Sequence, residues 1–461
     1  MSSVRWPTRG ARRRLHAAAI SSLLSIGFVV SASPALACDP DCPWIGYTDI
    51  RAGPFGSKPA DMALFRTPDD EFRLYFSADD GKSGREPYKD GRRLKNINPG
   101  SASSGPSEFT TIGNRVFFSA NNGTNGRELW ITDGTGVGTK LVKDIRVGAK
   151  GSGPRQLTAV GKTLFFTADN GRHGRELWKS DGTAAGTKMV KDIVAGSTGS
   201  LPYELTAYRG RVYFGMNLTV DGGMPWRQLY VSDGTAAGTK GFGRVDALFG
   251  DGTPFPSELT RSGGYLYYVQ SEWVLWRTDG TSAGTKKMGI LDSASGLANI
   301  GGTLYFAATD GLYRSSGTAA TTVRVKSFSS TQVIANLTNF DGAAVFTVNE
   351  DIWVSDGTDA GTVRVVNAPA GSVTAELTRV AWAVFFTLNG RLYHVAIDLW
   401  CRDSPTECGG SWYSSGEWAP ELGLTKVKNL VGTGSLAVGD LYFSGADGVH
   451  GQEPWWTTTG D

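Results

Sequence analysis

A tandem repeat constrains this chain more than any other feature. Gly174 to Thr187 reads Gly-Arg-Glu-Leu-Trp-Lys-Ser-Asp-Gly-Thr-Ala-Ala-Gly-Thr, and related copies run down nearly the whole sequence. Ile131-Thr132-Asp133-Gly134-Thr135 precedes it, and Val231-Ser232-Asp233-Gly234-Thr235 follows. Arg277-Thr278-Asp279-Gly280-Thr281 and Val354-Ser355-Asp356-Gly357-Thr358 continue the series. Self-similarity at a fixed period is the mark of a repeat architecture, in which each unit buries its apolar face only by stacking on its neighbours.

One unit holds four short β-favouring runs. They are Leu141–Ile145, Leu157–Val160, Leu164–Ala168 and Glu176–Ser180, with turn residues between them. The pattern predicts a four-stranded antiparallel meander, with Asp181-Gly182-Thr183 as the boundary of the unit. The aromatic third run recurs from Leu74-Tyr75-Phe76 to Leu441-Tyr442-Phe443, which makes nine units. A fourth-run aromatic accompanies each, among them Tyr88, Trp130, Trp178, Trp276, Trp353 and Trp455. Their spacing lies near the 40–45 residues of a propeller blade. The fold class predicted is all-β, a propeller of eight or nine four-stranded blades. Tyr47–Ile50 resembles a first run and Trp455–Thr458 a fourth, so the two ends are expected side by side in a closed ring.

The start of the chain has the layout of an export signal. Arg5, Arg9, Arg12, Arg13 and Arg14 form a basic region, and an apolar stretch runs from Ala17 to Ala32. Pro34-Ala35-Leu36-Ala37 supplies small residues where a signal peptidase cuts. Residues 1–37 are therefore expected to be a signal peptide, and 38–461 a single secreted or cell-surface repeat domain. Adjacent arginines also hint at a twin-arginine signal. Four cysteines remain, Cys38, Cys42, Cys401 and Cys408. Even parity favours two local disulfides, Cys38 with Cys42 and Cys401 with Cys408, over a lipid anchor at Cys38. No later stretch is apolar enough to span a membrane.

The repeat resembles the bacterial secreted family named for its Glu-Leu-Trp-x-x-Asp-Gly-Thr repeat, often labelled hyalin-like. The resemblance is closest at units two to five and seven. Glu86-Pro87-Tyr88 and Glu453-Pro454-Trp455 depart from it at the two ends. It implies an exported, propeller-like repeat protein and no established chemistry.

The residues themselves agree with that silence. A net charge of +2 gives no reason to expect a nucleic-acid partner. No zinc-protease helix, nucleophile elbow or phosphate loop occurs. Asp133, Asp181, Asp233, Asp279 and Asp356 each stand alone before a glycine, whereas calcium takes six to eight oxygens. These aspartates are expected to cap their own turns, with Gly134, Gly182, Gly234, Gly280 and Gly357 taking positive φ. The periodic aromatics are expected to be core. No metal or other cofactor is expected. One stretch, Asp398 to Glu421, breaks the repeat in the eighth unit. It carries Trp400, Trp412 and Trp418, which the repeat does not demand, and is expected to be a long stapled loop whose tryptophans form either a binding surface or a small core of the loop itself. The function read from the sequence is a binding or surface-structural module for a protein or glycan. The alternative is a polysaccharide-acting enzyme with carboxylates at the propeller channel.

Overall fold

The computed structural model describes residues 44–67, 71–218, 226–242, 256–270, 274–288, 293–380, 383–397, 413–417, 425–432, 439–446, 449 and 451–459. They form nine four-stranded antiparallel sheets. Blade three is representative. Its strands Arg155–Val160, Thr163–Asp169, Arg175–Ser180 and Lys188–Met189 lie side by side in chain order.

The nine first strands are the innermost. They begin with Ala60–Arg66, Ser107–Ile112, Arg155–Val160 and Tyr203–Tyr208 and end with Thr425–Gly432. Each touches the first strand of the next blade, and the ninth touches the first. The sheets therefore close into a nine-bladed β-propeller.

The phase of the unit differs from the sequence reading by one strand. Lys140–Lys143 pairs with Arg127–Thr132, so it completes blade two and does not open blade three. The reason lies in the two connections. Asp-Gly-Thr-x-x-Gly-Thr is a tight reversal, and it joins antiparallel neighbours within one sheet. The longer Asp144–Pro154 stretch instead carries the chain across to the next blade.

The same shift decides how the ring closes. Blade nine takes three strands from the end of the chain, Thr425–Gly432, Gly439–Ala446 and Glu453–Thr459. Its fourth is Trp44–Tyr47, with Trp44 opposite Thr458 and Tyr47 opposite Trp455. The two ends thus lie side by side as expected, with the strand ending at Tyr47 and not running on to Ile50.

The core lies between blades. Ile112, Phe117, Leu129 and Ile131 of blade two pack on Leu164, Phe166 and Trp178 of blade three. Equivalent clusters join every other adjacent pair, including blades eight and nine, while Leu74 and Phe76 of blade one meet Tyr442 of blade nine. The strand code follows from this. A strand with neighbours on both faces reads as a continuous apolar run, and Leu164 to Ala168 is buried throughout.

At the seam the chain ends approach as backbone. The Gly451 N–H donates to the Gly53 carbonyl at 3.0 Å, and the Lys58 N–H donates to the Gln452 carbonyl at 2.7 Å. Gly56 has φ +55°, and a Cβ there would lie 2.2 Å from the Gln452 nitrogen. The φ favours glycine and the close approach requires it. Gly56→Ala is expected to cost about 2–3 kcal/mol of stability, the range for strain at a special backbone position. Gly148→Ala has positive φ but open space around it. Thermal melts should show the larger loss at Gly56, and equal shifts would contradict a tight seam.

Candidate functional site

The recurring polar residues fall into three sets, and each set has an assigned place in the ring. The first is the turn. Asp181 Oδ1 accepts from the Thr183 N–H at 2.8 Å and from the Thr183 hydroxyl at 2.7 Å. Asp133, Asp233, Asp279 and Asp356 make the same pair of bonds to Thr135, Thr235, Thr281 and Thr358. Gly182 has φ +91°. A Cβ on Gly186 would lie 2.1 Å from Asp181 Oδ1, so the second glycine of the motif makes room for the carboxylate. The Thr hydroxyl bond, then the backbone bond, hold the carboxyls of Asp133, Asp181, Asp233 and Asp279 below their ordinary range. Gly134, Gly234, Gly280 and Gly357 also have positive φ. The turns further fasten neighbours: the Lys179 ammonium donates to the Gly234 carbonyl at 2.6 Å, from blade three to blade four.

The second set is Gly-Arg-Glu at the start of the third strand. Glu128 is fully buried. It accepts from the Arg146 N–H at 3.0 Å, the Ser152 N–H at 2.9 Å and the Ser152 hydroxyl. Arg146 and Ser152 belong to the loop that leads to blade three, so the glutamate clamps the crossing. Glu86, Glu176 and Glu453 do the same to Ser104, Ser200 and Ser57. Burial pushes all four carboxyls up, against the pull of their hydrogen bonds. Arg127 ties its strand to the second strand and to the loop entering the blade, donating to the Ser119 carbonyl at 3.1 Å and the Gly105 carbonyl at 2.7 Å. The aromatics after these glutamates are core: Trp130 and Trp178 are buried, and stack on Phe118 and pack on Phe166.

The third set lines the inner ring, and the sequence reading missed it. Each of the first eight inner strands carries a residue with positive φ: Asp61, Glu108, Gln156, Glu204, Glu258, Gly296, Asn336 and Glu376. All eight of these residues sit at a β-bulge that breaks the pairing register, as between Arg155 and Thr158. Adjacent inner strands share no ladder, so side chains bridge them. Glu258 Oε2 accepts from the Leu297 N–H at 2.8 Å, and Glu376 Oε2 accepts from the Leu430 N–H at 2.8 Å. Glu108, Gln156 and Glu204 accept likewise from Leu157, Leu205 and Leu259. Two residues on, Thr110, Thr158, Thr260 and Thr378 donate to the carbonyls of Leu157, Leu205, Leu297 and Leu430. The signal was present in the sequence as a recurring Glu-Leu-Thr.

These carboxylates are the ones an enzyme reading needs. Four of the five are spent on the next strand's N–H. Glu204 is raised by burial first and by the Glu258 charge as a lesser cause. A cavity of about 550 Å³ lies against one of them, Glu204, and is otherwise lined by Gln156, Leu157, Thr158, Tyr203 and Leu205. No group of three or more His, Cys, Asp or Glu among the described residues is arranged to hold a metal ion.

Residues 1–37, all four cysteines and Trp400, Trp412 and Trp418 lie outside the described residues. Within Asp398–Glu421, however, Tyr413–Glu417 is the fourth strand of blade eight, paired with Arg391–Ile397. That part of the stretch is blade and not loop.

No family model and no curated protein matches the sequence. Among solved structures, the computationally designed protein Ika8 shares 13% identity at a TM-score of 0.43, over 74% of this chain and 96% of its own. A prolyl endopeptidase shares 12% at 0.42, over 74% of this chain and 54% of its own, so the match spans about half of that protein. The β-propeller domain of the Trilobed protease from Pyrococcus furiosus shares 13% at 0.32, over 74% and 94%. Likeness at these scores carries no argument, and the propeller assignment rests on the strand topology.

Asp181→Ala should cost about 1 kcal/mol, the usual loss for a side-chain cap. Because the folded carboxyl is lowered, its contribution is present above the unfolded value and lost as pH falls through the folded one. Melting curves with and without a chelator should superimpose. A large downward shift with chelator would instead mark the turns as calcium sites.

Proposed function

We propose that this protein is an exported binding or surface-structural module that engages a protein or glycan. The observation that carries this reading is the commitment of the repeat's own polar groups. Asp-Gly-Thr closes turns, Gly-Arg-Glu clamps crossings, and Glu-Leu-Thr bridges inner strands. An enzyme needs carboxylates free to meet a substrate in one cleft. Here Glu108, Glu204, Glu258 and Glu376 each hold a backbone N–H of the next blade. Selectivity then falls to residues outside the repeat.

Asp398–Glu421 is the strongest such candidate. It begins where blade eight passes from its third to its fourth strand, the connection that elsewhere carries Asp-Gly-Thr. An insert carrying Trp400 and Trp412 before the fourth strand, with Trp418 just after it, suits recognition of a flat apolar or sugar surface. No helix among the described residues is long and apolar enough to cross a membrane.

The test is a glycan array with a parallel pulldown, using the chain from residue 38. Retention of a defined glycan or protein is expected, at least tenfold weaker in a Trp400→Ala, Trp412→Ala, Trp418→Ala variant. Glu204→Gln with Glu258→Gln should leave it unchanged. Polysaccharide cleavage abolished by the Glu204 and Glu258 changes would overturn the module reading in favour of an enzyme.

A further inference from the structure

Four glutamates make the crossing clamp, but only one of them holds chain that is not its own continuation. Glu86, Glu128 and Glu176 bind loops that follow them by 11 to 24 positions. Glu453 binds a loop 396 to 403 positions earlier: its oxygens accept from the Ser57 N–H at 2.7 Å, the Ser57 hydroxyl at 2.6 Å and the Ile50 N–H at 3.2 Å. Separation at any other clamp leaves the blades joined by chain. At the seam, no stretch of chain among the described residues joins the two blades directly once Trp44–Tyr47 leaves blade nine.

We propose that the seam between blades nine and one is a proton-controlled latch, in which protonated Glu453 holds residues 44–58 on blade nine and loss of its proton loosens them. Three donors meet the carboxylate, but no cation among the described residues pairs with its charge. Glu453 is fully buried. Asp49, on the clamped loop, adds a like charge. Arg51 is taken by Asp79 at 3.2 Å. Lys58 is exposed to solvent. Trp44–Tyr47 bears no charge, and Gly445 stands opposite Glu453 on the second strand. Burial first, with Asp49 adding to it and the hydrogen bonds opposing, pushes the Glu453 carboxyl up to about 7 from an ordinary value near 4.5.

A carboxyl raised in the closed state stabilises that state fully below its open-state value. The contribution is lost as pH rises through the closed-state value. Between about pH 4.5 and 7 the opening constant should therefore rise by about tenfold per pH unit, and level off above that.

Hydrogen exchange read by mass spectrometry on the full chain, corrected for intrinsic rates, tests this. Protection of peptides covering 44–58 and 453–459 is expected to fall as pH rises from 5 to 8. Glu453→Gln should flatten that dependence, and Asp49→Asn should move its midpoint to lower pH. If Glu453→Gln does not fold, wild type and Asp49→Asn still decide the matter. Seam protection that is constant with pH, or a midpoint unmoved by Asp49→Asn, would overturn the latch. So would a pH dependence that survives in Glu453→Gln.

Discussion

Among the described residues, every apolar core cluster is shared between two adjacent blades. Phe166, Leu164 and Trp178 are buried because Phe117, Leu129 and Ile131 of the preceding blade cover them. The rest of the structure depends on that constraint. Sheets that bury their faces only on one another must be held at a fixed distance and rotation around a ring. Apolar packing does not fix either by itself, since it is largely non-directional. Directional bonds do, and the repeat's polar residues supply them. The turn carbonyl of Gly234 takes the Lys179 ammonium, Glu128 takes the crossing loop, and Glu258 takes the next inner strand.

This division of labour explains the motif's composition. The Leu and Trp of Glu-Leu-Trp face the inter-blade core, and the Glu faces the loop leaving the blade. Burying a carboxylate is costly unless every oxygen finds a donor. Ser152 answers with two donors and Arg146 with a third. Where Glu is absent the ring uses a shorter substitute: Asp351 Oδ1 in blade seven accepts from the Ala368 N–H at 2.9 Å, at the same crossing. The scaffold therefore tolerates divergence while keeping a carboxylate fastener at blade seven as at blades one, two, three and nine.

Much of this was legible in the residues. The aromatic runs gave strand two of every blade, the Asp-Gly-Thr copies gave the turns, and Tyr47 beside Trp455 gave the closure. The phase was not legible, because a four-run repeat reads equally well from any run. What decides it is which connection reverses the chain and which crosses to the next sheet. The inner-strand bridges escaped for another reason. Glu258 and Leu297 are partners across a blade interface, so neither period-2 alternation nor motif spacing relates them. A glutamate on a strand reads as a solvated face until the next strand is in place. Trp400, Trp412 and Trp418 stand apart from any such logic, which is why the binding reading attaches to them.

The central claim is that the motif's polar residues fasten adjacent blades. A double-mutant cycle on Glu128→Gln and Ser152→Ala measures this directly, with stability taken from denaturant unfolding of each single variant and the pair. The account predicts a coupling of about 1–3 kcal/mol, the range for residues in one buried hydrogen-bond network. Additive effects would contradict it, because Glu128 and Ser152 would then not act as one fastener.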